Sequence, residues 1–283
     1  MIDPRFAGIE RLYGSGSGAR LAAARVAVVG VGGVGSWAAE AFTRSGVGHL
    51  TLIDADEICV SNVNRQLHAL GSTLGRSKVQ VMAARMRDIS PEVEIETIER
   101  FLTPATLDAL LDRGFDLVLD ACDAFRVKVE MVAWCRRRKL PLIVCGSAGG
   151  RTDPTQIRVR DLSRTEHDAL LSLTRRKLRQ AFHFPANPQR YFGVPAVYSL
   201  ENVRYPQADG SVCGTRPAGG DSLRLGCAGG LGAAMHVTAS FGLVAAGRAL
   251  ERLLRTPPAA RPVSRPREQP ARVGGGGVGE RAG

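Results

Sequence analysis

Short apolar runs recur along the first half of the chain, each followed by a longer stretch with helical spacing. Residues 25–29 (RVAVV) read as a buried strand, followed at once by GVGGVG and a helix over residues 34–43. Residues 49–54 (HLTLID) form a second strand, and residues 75–89 carry helical spacing through Val79, Met82, Ala83 and Met86. Residues 93–98 alternate like a strand. Residues 103–111 suit a helix with Thr103 as its cap and Pro104 at its first position. Residues 115–119 (FDLVL) and 142–145 are further buried strands, with a helix over residues 127–138 between them. Strands alternating with helices at this spacing predict parallel βαβ units and an α/β, Rossmann-type, doubly wound and mostly parallel sheet.

After Gly150 the rhythm changes. Residues 156–160 read as a strand with no crossover helix before it, so antiparallel strands are expected to extend the sheet. Residues 164–180 are basic and helix-compatible, and residues 182–195 are rich in proline and aromatics and read as a loop. Residues 228–250 are largely apolar and small, and their length reaches the roughly 20 residues of a membrane span. They also hold His236, Thr238, Ser240, Arg248 and many glycines, which favours a buried core or dimer-interface helix. From Arg255 the chain is rich in Pro, Gly and Arg and has no apolar periodicity, so residues 255–283 are expected to be a disordered tail. The expected organisation is one domain over residues 1–254, with a Rossmann half at about 20–150 and a second half at about 151–254 expected to meet substrate and a partner copy.

Composition changes this picture in two respects. Hydrophobic residues at 44% and charged residues at 23% are ordinary for a soluble globular protein, but a net charge of +11 and a pI near 10.0 are not. Such a surplus suits an anionic partner, although part of it sits in the tail. Six cysteines occur without a CxxC pair, which argues against a disulfide scaffold or a zinc site. Residues 1–14 lack the apolar core of a signal peptide, so a reducing cytoplasm is expected.

Gly30, Gly32 and Gly35 fit G-x-G-x-x-G directly after a strand and before a helix, with Gly33 inside the loop. Glycines let a backbone turn sharply and approach a phosphate, and the helix N-terminus then faces the anion. Asp54 ends the next strand, where a carboxylate can hold ribose hydroxyls. This pattern points to a nucleotide and leaves NAD, FAD and ATP open. Downstream lie Asp54-x-Asp56, Asn62-x-Asn64-Arg65-Gln66, Gly75-x-x-Lys78 and Asp120-x-x-Asp123. A dehydrogenase has no need of several cations at the phosphate end, whereas splitting ATP between its α and β phosphates builds charge on several oxygens. Arg65 can fork onto phosphate and Lys78 can act as a point charge at a helix start. Asp123, after the fourth strand, is placed to hold Mg²⁺.

These motifs together resemble the domain that activates ubiquitin-like proteins and the sulfur-carrier proteins of thiamine and molybdenum-cofactor synthesis. The resemblance implies that Gly33, Asp54, Asn62, Arg65, Gln66, Lys78 and Asp123 contact ATP, with Gly30, Gly32, Gly35 and Asp56 in the same cradle. It also implies a homodimer in which an arginine near the N-terminus, here Arg11 in IERLYG, reaches the partner's nucleotide. Arg65, Lys78, Asp123 and Arg11 are then the catalytic candidates.

Within that superfamily the chain is most similar to the tRNA threonylcarbamoyladenosine dehydratases. RQLHAL (65–70), GRSKVQVMAARMRDISPE (75–92), CRRRKLPL (135–142), AGGRTDPTQIRVRDL (148–162), YPQADGSVC (205–213) and CAGGLGAAMHVTASFG (227–242) carry the likeness, over about residues 5–254. The carrier activators usually have paired CxxC zinc ligands, and this chain has none; Ala124 also stands after Asp123 where the wider superfamily tends to be polar. The implied chemistry is adenylation of the free carboxylate of threonylcarbamoyladenosine beside the anticodon, followed by ring closure of the same side chain with loss of AMP. Intramolecular closure carries effective molarities of roughly 10⁵–10⁸ M, so no enzyme nucleophile is required. Cys213 and Cys227 are therefore read as small cysteines and not as relay thiols.

The basic surplus then has a use. Arg136, Arg137, Arg138 and Lys139 end one helix, and Arg175, Arg176, Lys177 and Arg179 cluster in another segment and are expected to meet tRNA phosphates. Three rivals remain at this level: adenylation of a ubiquitin-like or sulfur-carrier protein, a non-catalytic nucleotide-binding partner of a cysteine desulfurase system, and an NAD-linked oxidoreductase.

Overall fold

The computed structural model describes residues 3–216 and 231–255. Two short helices, α1 (Ala7–Tyr13) and α2 (Ser17–Ala23), precede strand β1 (Arg25–Val29). The alternation expected from the sequence follows: α3 (Gly35–Arg44), β2 (His49–Ile53), α4 (Lys78–Ile89), β3 (Glu94–Ile98), α5 (Leu107–Leu111), β4 (Leu117–Asp120), α6 (Phe125–Arg137) and β5 (Leu142–Cys145). Beyond these lie β6 (Ile157–Asp161), α7 (Ala169–Phe182), β7 (Pro195–Ser199), a small hairpin of β8 (Tyr205–Pro206) and β9 (Val212–Cys213), and α8 (Met235–Arg255).

Seven strands form one sheet in the order β3-β2-β1-β4-β5-β7-β6. Every neighbouring pair is parallel except β6 with β7. Residues of β1 alternate between the two faces. Val26 and Val28 join a core with α3, α4 and α8, while Ala27 and Val29 join a second core with α5, α6 and α7. Burial on both sides explains why the central strands read as unbroken apolar runs. The chain moves outward from β1 to β2 and returns to β4 on the other side, so β1 and β4 splay their outgoing loops apart. That divergence opens a crevice at the carboxyl edge of the sheet, the place where open α/β sheets bind ligands.

The structure differs from the sequence reading at three places. Strand β7 lies where the loop was expected to end, and it joins the sheet parallel to β5 with α7 as its crossover helix. Helix α4 starts at Lys78, not near Gly75, because Gly75 takes a left-handed φ of 75° and residues 75–76 hydrogen-bond back to Ile58. Helix α7 starts at Ala169, where the Asp168 carboxylate caps the Leu171 amide. The stretch at residues 235–250 is a core helix: Val237, Phe241, Ala245 and Ala249 are buried, and among the described residues no helix is long and apolar enough to cross a membrane. The expected tail beyond Arg255, and Cys227, fall outside the described residues.

Helix α8 lies tightly on the start of α3. A Cβ on Gly242 would come within 2.4 Å of the Val34 carbonyl oxygen, whereas one on Gly247, five residues along the same helix, would meet nothing within 4 Å. The two Gly→Ala substitutions are therefore expected to have opposite signs. Gly242→Ala lowers stability by about 1–3 kcal/mol through overpacking, and Gly247→Ala raises it by about 0.5–1 kcal/mol through helix propensity. Urea unfolding midpoints measure both, and equal shifts would contradict the packing described.

Candidate nucleotide site

The glycine loop leaves β1 at Gly30, whose amide donates to the Ile53 carbonyl at 2.9 Å and whose φ of 86° favours glycine. A Cβ here would stand 3.0 Å from the Ala121–Cys122 backbone, and one on Gly35 would stand 1.8 Å from the Gly30 oxygen. Both approaches press the loop against the turn after β4 and start α3 directly above it. Gly32 lies beside the Gln66 side chain, and Gly33 between the Arg65 stem and Thr238 of α8.

Asp54, at the end of β2, ties this loop to the next. One carboxylate oxygen accepts the Val31 amide at 2.7 Å and the other the Asp56 amide at 2.9 Å. Asp56 in turn pairs with the Lys78 ammonium at 2.7 Å, while the Lys78 amide donates to the Asp56 carbonyl at 3.1 Å. Lys78 is thus held at the first turn of α4, buried and aimed by a carboxylate that a phosphate can replace.

Residues 62–66 form a turn docked on two helices. Asn62 accepts the Cys59 amide, and its carbonyl takes the amides of Arg65 and Gln66. The Arg65 carbonyl receives Trp37 Nε1 of α3 at 3.1 Å and the Thr238 hydroxyl of α8 at 3.4 Å. Asn64 reaches the Ala233 carbonyl at 2.7 Å. The Arg65 guanidinium, half-exposed, binds the Ser61 carbonyl and Asn64 Oδ1 through Nη1, which leaves its other donors for a ligand.

Asp123 follows β4 on the far wall of the crevice. Its outer side is exposed, but the protein behind it removes water, and this desolvation, with the Asp56 carboxylate adding to it, raises its pKa despite Lys128 and Lys78. Arg11 stands exposed on α1, which packs on α2 and not in the crevice. The second basic cluster is split by helical geometry. Arg176 and Lys177 are exposed, whereas Arg175 hydrogen-bonds the Thr165 hydroxyl and Arg179 donates to the Pro185 carbonyl and covers the Phe192 ring. The cluster at residues 136–139 lies at the far end of α6, about 20 Å of helix from the crevice. There Arg138 pairs with Asp108 and stacks on Trp134.

Two features escaped the sequence reading. Asp120 and Lys128 form an ion pair at 2.7 Å with no exposure on either side, and the Cys122 thiol donates to the same carboxylate. His68 is 2% exposed with both ring nitrogens unpaired, and burial with the nearby Lys78 charge pushes its pKa down to about 4. A lysine inside the apolar stretch 127–132 is the signal that could have found the first; RQLHAL alone carries none for the second.

The residues fit a nucleotide. Buried polar atoms without partners, Gln66 Oε1, both His68 nitrogens and Ser77 Oγ, line the same loops as Lys78. Native proteins seldom leave such atoms unmatched, and a polar ligand with its waters can satisfy them. Among the described residues no cluster of three metal-ligating side chains occurs.

Sheet order, glycine loop and convergent cations define a Rossmann-type nucleotide-binding protein. The ThiF family model matches residues 7–263, and the chain belongs to this family. It is 45% identical over 250 residues to the tRNA threonylcarbamoyladenosine dehydratase of Escherichia coli, covering 88% of this chain and 93% of that one. It is also 45% identical over 253 residues to the Haemophilus influenzae enzyme of that name, covering 89% of this chain and 94% of that one. The Escherichia coli molybdopterin-synthase adenylyltransferase, 37% identical, matches over only 42% of this chain and 47% of its own length. The solved Escherichia coli dehydratase in complex with ATP superposes with a TM-score of 0.80 at 41% identity, over 90% of this chain and 97% of that one.

His68 sets a measurable pH dependence. In the unfolded chain its imidazole takes a proton near pH 6.5, in the fold only near 4. Between these values the unfolded state binds more protons, so stability falls as pH falls, by up to about 3 kcal/mol at full protonation. Denaturant unfolding of His68→Leu should lack this loss, the two profiles diverging below pH 6.5. Parallel profiles would contradict a neutral, buried imidazole.

Proposed function

We propose that the protein uses ATP to adenylate the free carboxylate of threonylcarbamoyladenosine in tRNA and dehydrates it to a ring, as an ATP-dependent tRNA threonylcarbamoyladenosine dehydratase. The observation that carries this reading is the reach of the likeness. It spans 250 residues, 88% of this chain, and so extends far into the half after Gly150 that would meet the acceptor, whereas the carrier-protein activator matches over 42% of the chain.

Asp54 holds the glycine loop and offers its remaining lone pairs to the ribose. Arg65 and Lys78 bring positive charge to the phosphates as pyrophosphate departs, Lys78 exchanging Asp56 for a phosphate oxygen. Asp123 is the residue that would hold Mg²⁺, which supplies further charge neutralisation when bound. The carboxylate attacks the α phosphorus, and a heteroatom of the same side chain then closes on the activated carbonyl, releasing AMP. No protein nucleophile enters. Burial pushes the Cys135 and Cys145 thiols up to about 12 and raises Cys122 as well, so none of these is a thiolate at neutral pH.

The proposal includes a homodimer with Arg11 acting across it. Arg11 is exposed beside Leu12 and Tyr13, and Leu243 and Val244 of α8 are large apolar side chains open to solvent. Arg176 and Lys177 are the exposed members of the cluster proposed to meet tRNA phosphates.

Purified protein with ATP and tRNA carrying threonylcarbamoyladenosine should release AMP while the nucleoside loses the mass of one water; unmodified tRNA should give neither. Arg65→Ala should lower the rate by about two orders of magnitude. AMP formed only with a carrier protein would overturn the assignment.

A further inference from the structure

A second concavity opens on the same edge of the sheet, beyond β5. It encloses about 450 Å³, between the first half of α7 and the segment that leads into β8, and is lined by His167, Asp168, Ser172, Arg175, Asn202 and Tyr205 among others. Asp168, Ser172 and Arg175 lie at i, i+4 and i+7, one face of α7. Opposite them Tyr205 is half-buried, and Asn202 Oδ1 meets His167 Nδ1 at 3.0 Å.

The two sites are joined through the protein. Asp168 accepts the Ser147 amide at 2.8 Å just after β5, and β5 is the neighbour of β4, from which Asp123 follows. Adjacent strands lie about 4.8 Å apart, so the cavity mouth is a short step from the phosphate end of the crevice. The charge of buried Lys128 is felt by both Asp123 and Asp168. On the protein side of the cavity lies Arg151, 2% exposed; its Nη2 donates to the His167 carbonyl at 2.5 Å, while Nε and Nη1 have no partner. This buried guanidinium interacts with the carboxylates of Asp168 and Glu201, so the cation on the cavity wall itself is Arg175, which a substrate bearing a carboxylate and phosphates would complement.

We infer that this cavity seats the substituted adenosine, extruded from the anticodon loop, while its side chain reaches across β5 to the nucleotide. The inference rests on the reading of the preceding subsection. The volume lies in the range of small-molecule sites, roughly 300–1,000 Å³. The lining supplies what recognition of an unstacked nucleotide uses: an aromatic ring and a guanidinium for stacking, with the Asn202 amide, the His167 imidazole and the Ser172 hydroxyl for base and ribose edges. In the nucleotide crevice the glycine loop, Arg65, Lys78 and the carboxylates of Asp54 and Asp123 are taken up by ATP in that reading. Tyr205 and Arg175 are thereby placed as substrate-binding residues, and the conversion of Arg175 from a surface cation to a cavity wall gives it a role distinct from that of Arg176 and Lys177.

The test uses the full chain, ATP and tRNA carrying threonylcarbamoyladenosine. Ser172→Trp grows a large side chain into the cavity from an exposed helix position. It should raise the KM for this tRNA at least about tenfold and leave the ATP dissociation constant within about twofold, since stacking a base contributes an effect of that size. The free modified nucleoside should also yield AMP with the wild type, and far less with Ser172→Trp. If Ser172→Trp loses ATP binding through misfolding, Tyr205→Ala decides in its place. An unchanged tRNA KM in a variant that binds ATP overturns the seat and leaves the enzyme assignment standing. Absence of AMP from the wild type overturns the assignment and the seat together.

Discussion

Beneath the turn that follows β4, the carboxylate of Asp120 and the ammonium of Lys128 face each other at 2.7 Å with neither exposed. Losing either partner would strand a bare charge in the core, a loss of about 3–5 kcal/mol. The pair therefore fixes the start of α6 against the end of β4. The backbone it holds at residues 121–122 is the surface against which Gly30 closes to 3.0 Å, and Asp123 projects from the same turn. Lys128 also lies within electrostatic range of Asp168 at the neighbouring cavity. One buried interaction thus orders the glycine loop and the far wall of the nucleotide crevice, and its charge reaches the neighbouring cavity.

Around that anchor the site is assembled by carboxylates that act on backbone. Asp54 joins the glycine loop to the loop after β2, and Asp56 aims Lys78. The turn at residues 62–66 is clamped by Trp37 and Thr238 from two helices that are distant in sequence. Such groups pre-position the cations before any phosphate arrives, so little reorganisation is left for the reaction itself. In the proposed reaction the acceptor needs no enzyme thiol, because once the acyl group is activated its own side chain is already at hand.

The parallel half of the sheet was legible because its central strands are buried on both faces and its glycine loop must follow a strand. Among the candidate residues, Lys78 opens α4 and Asp123 follows β4, places that the alternation itself marks, whereas Arg65 lies in the turn at residues 62–66 and was named from the N-x-N-R-Q motif and the resemblance. What escaped reading depends on tertiary context. Strand β7 begins at a proline and follows directly on an aromatic-rich loop, so its start carries no local signal that separates it from that loop. The basic cluster at residues 175–179 looked like one patch in the linear sequence. At about 100° per residue, however, α7 turns Arg175 and Arg179 toward internal acceptors and leaves Arg176 and Lys177 outward. His68 is invisible in one dimension because burial, not spacing, gives it its properties, and of the Asp120–Lys128 pair only the lysine among apolar neighbours shows in the sequence.

The central claim is that ATP is split to activate a carboxylate, and the oxygen of that carboxylate reports on it directly. With tRNA whose threonylcarbamoyl carboxylate is labelled with oxygen-18, adenylation and ring closure must carry one labelled oxygen into the phosphate of AMP. Mass analysis of the AMP from a single turnover measures this. Labelled AMP is the expected result; unlabelled AMP, or ADP in its place, would contradict acyl-adenylate chemistry at this site.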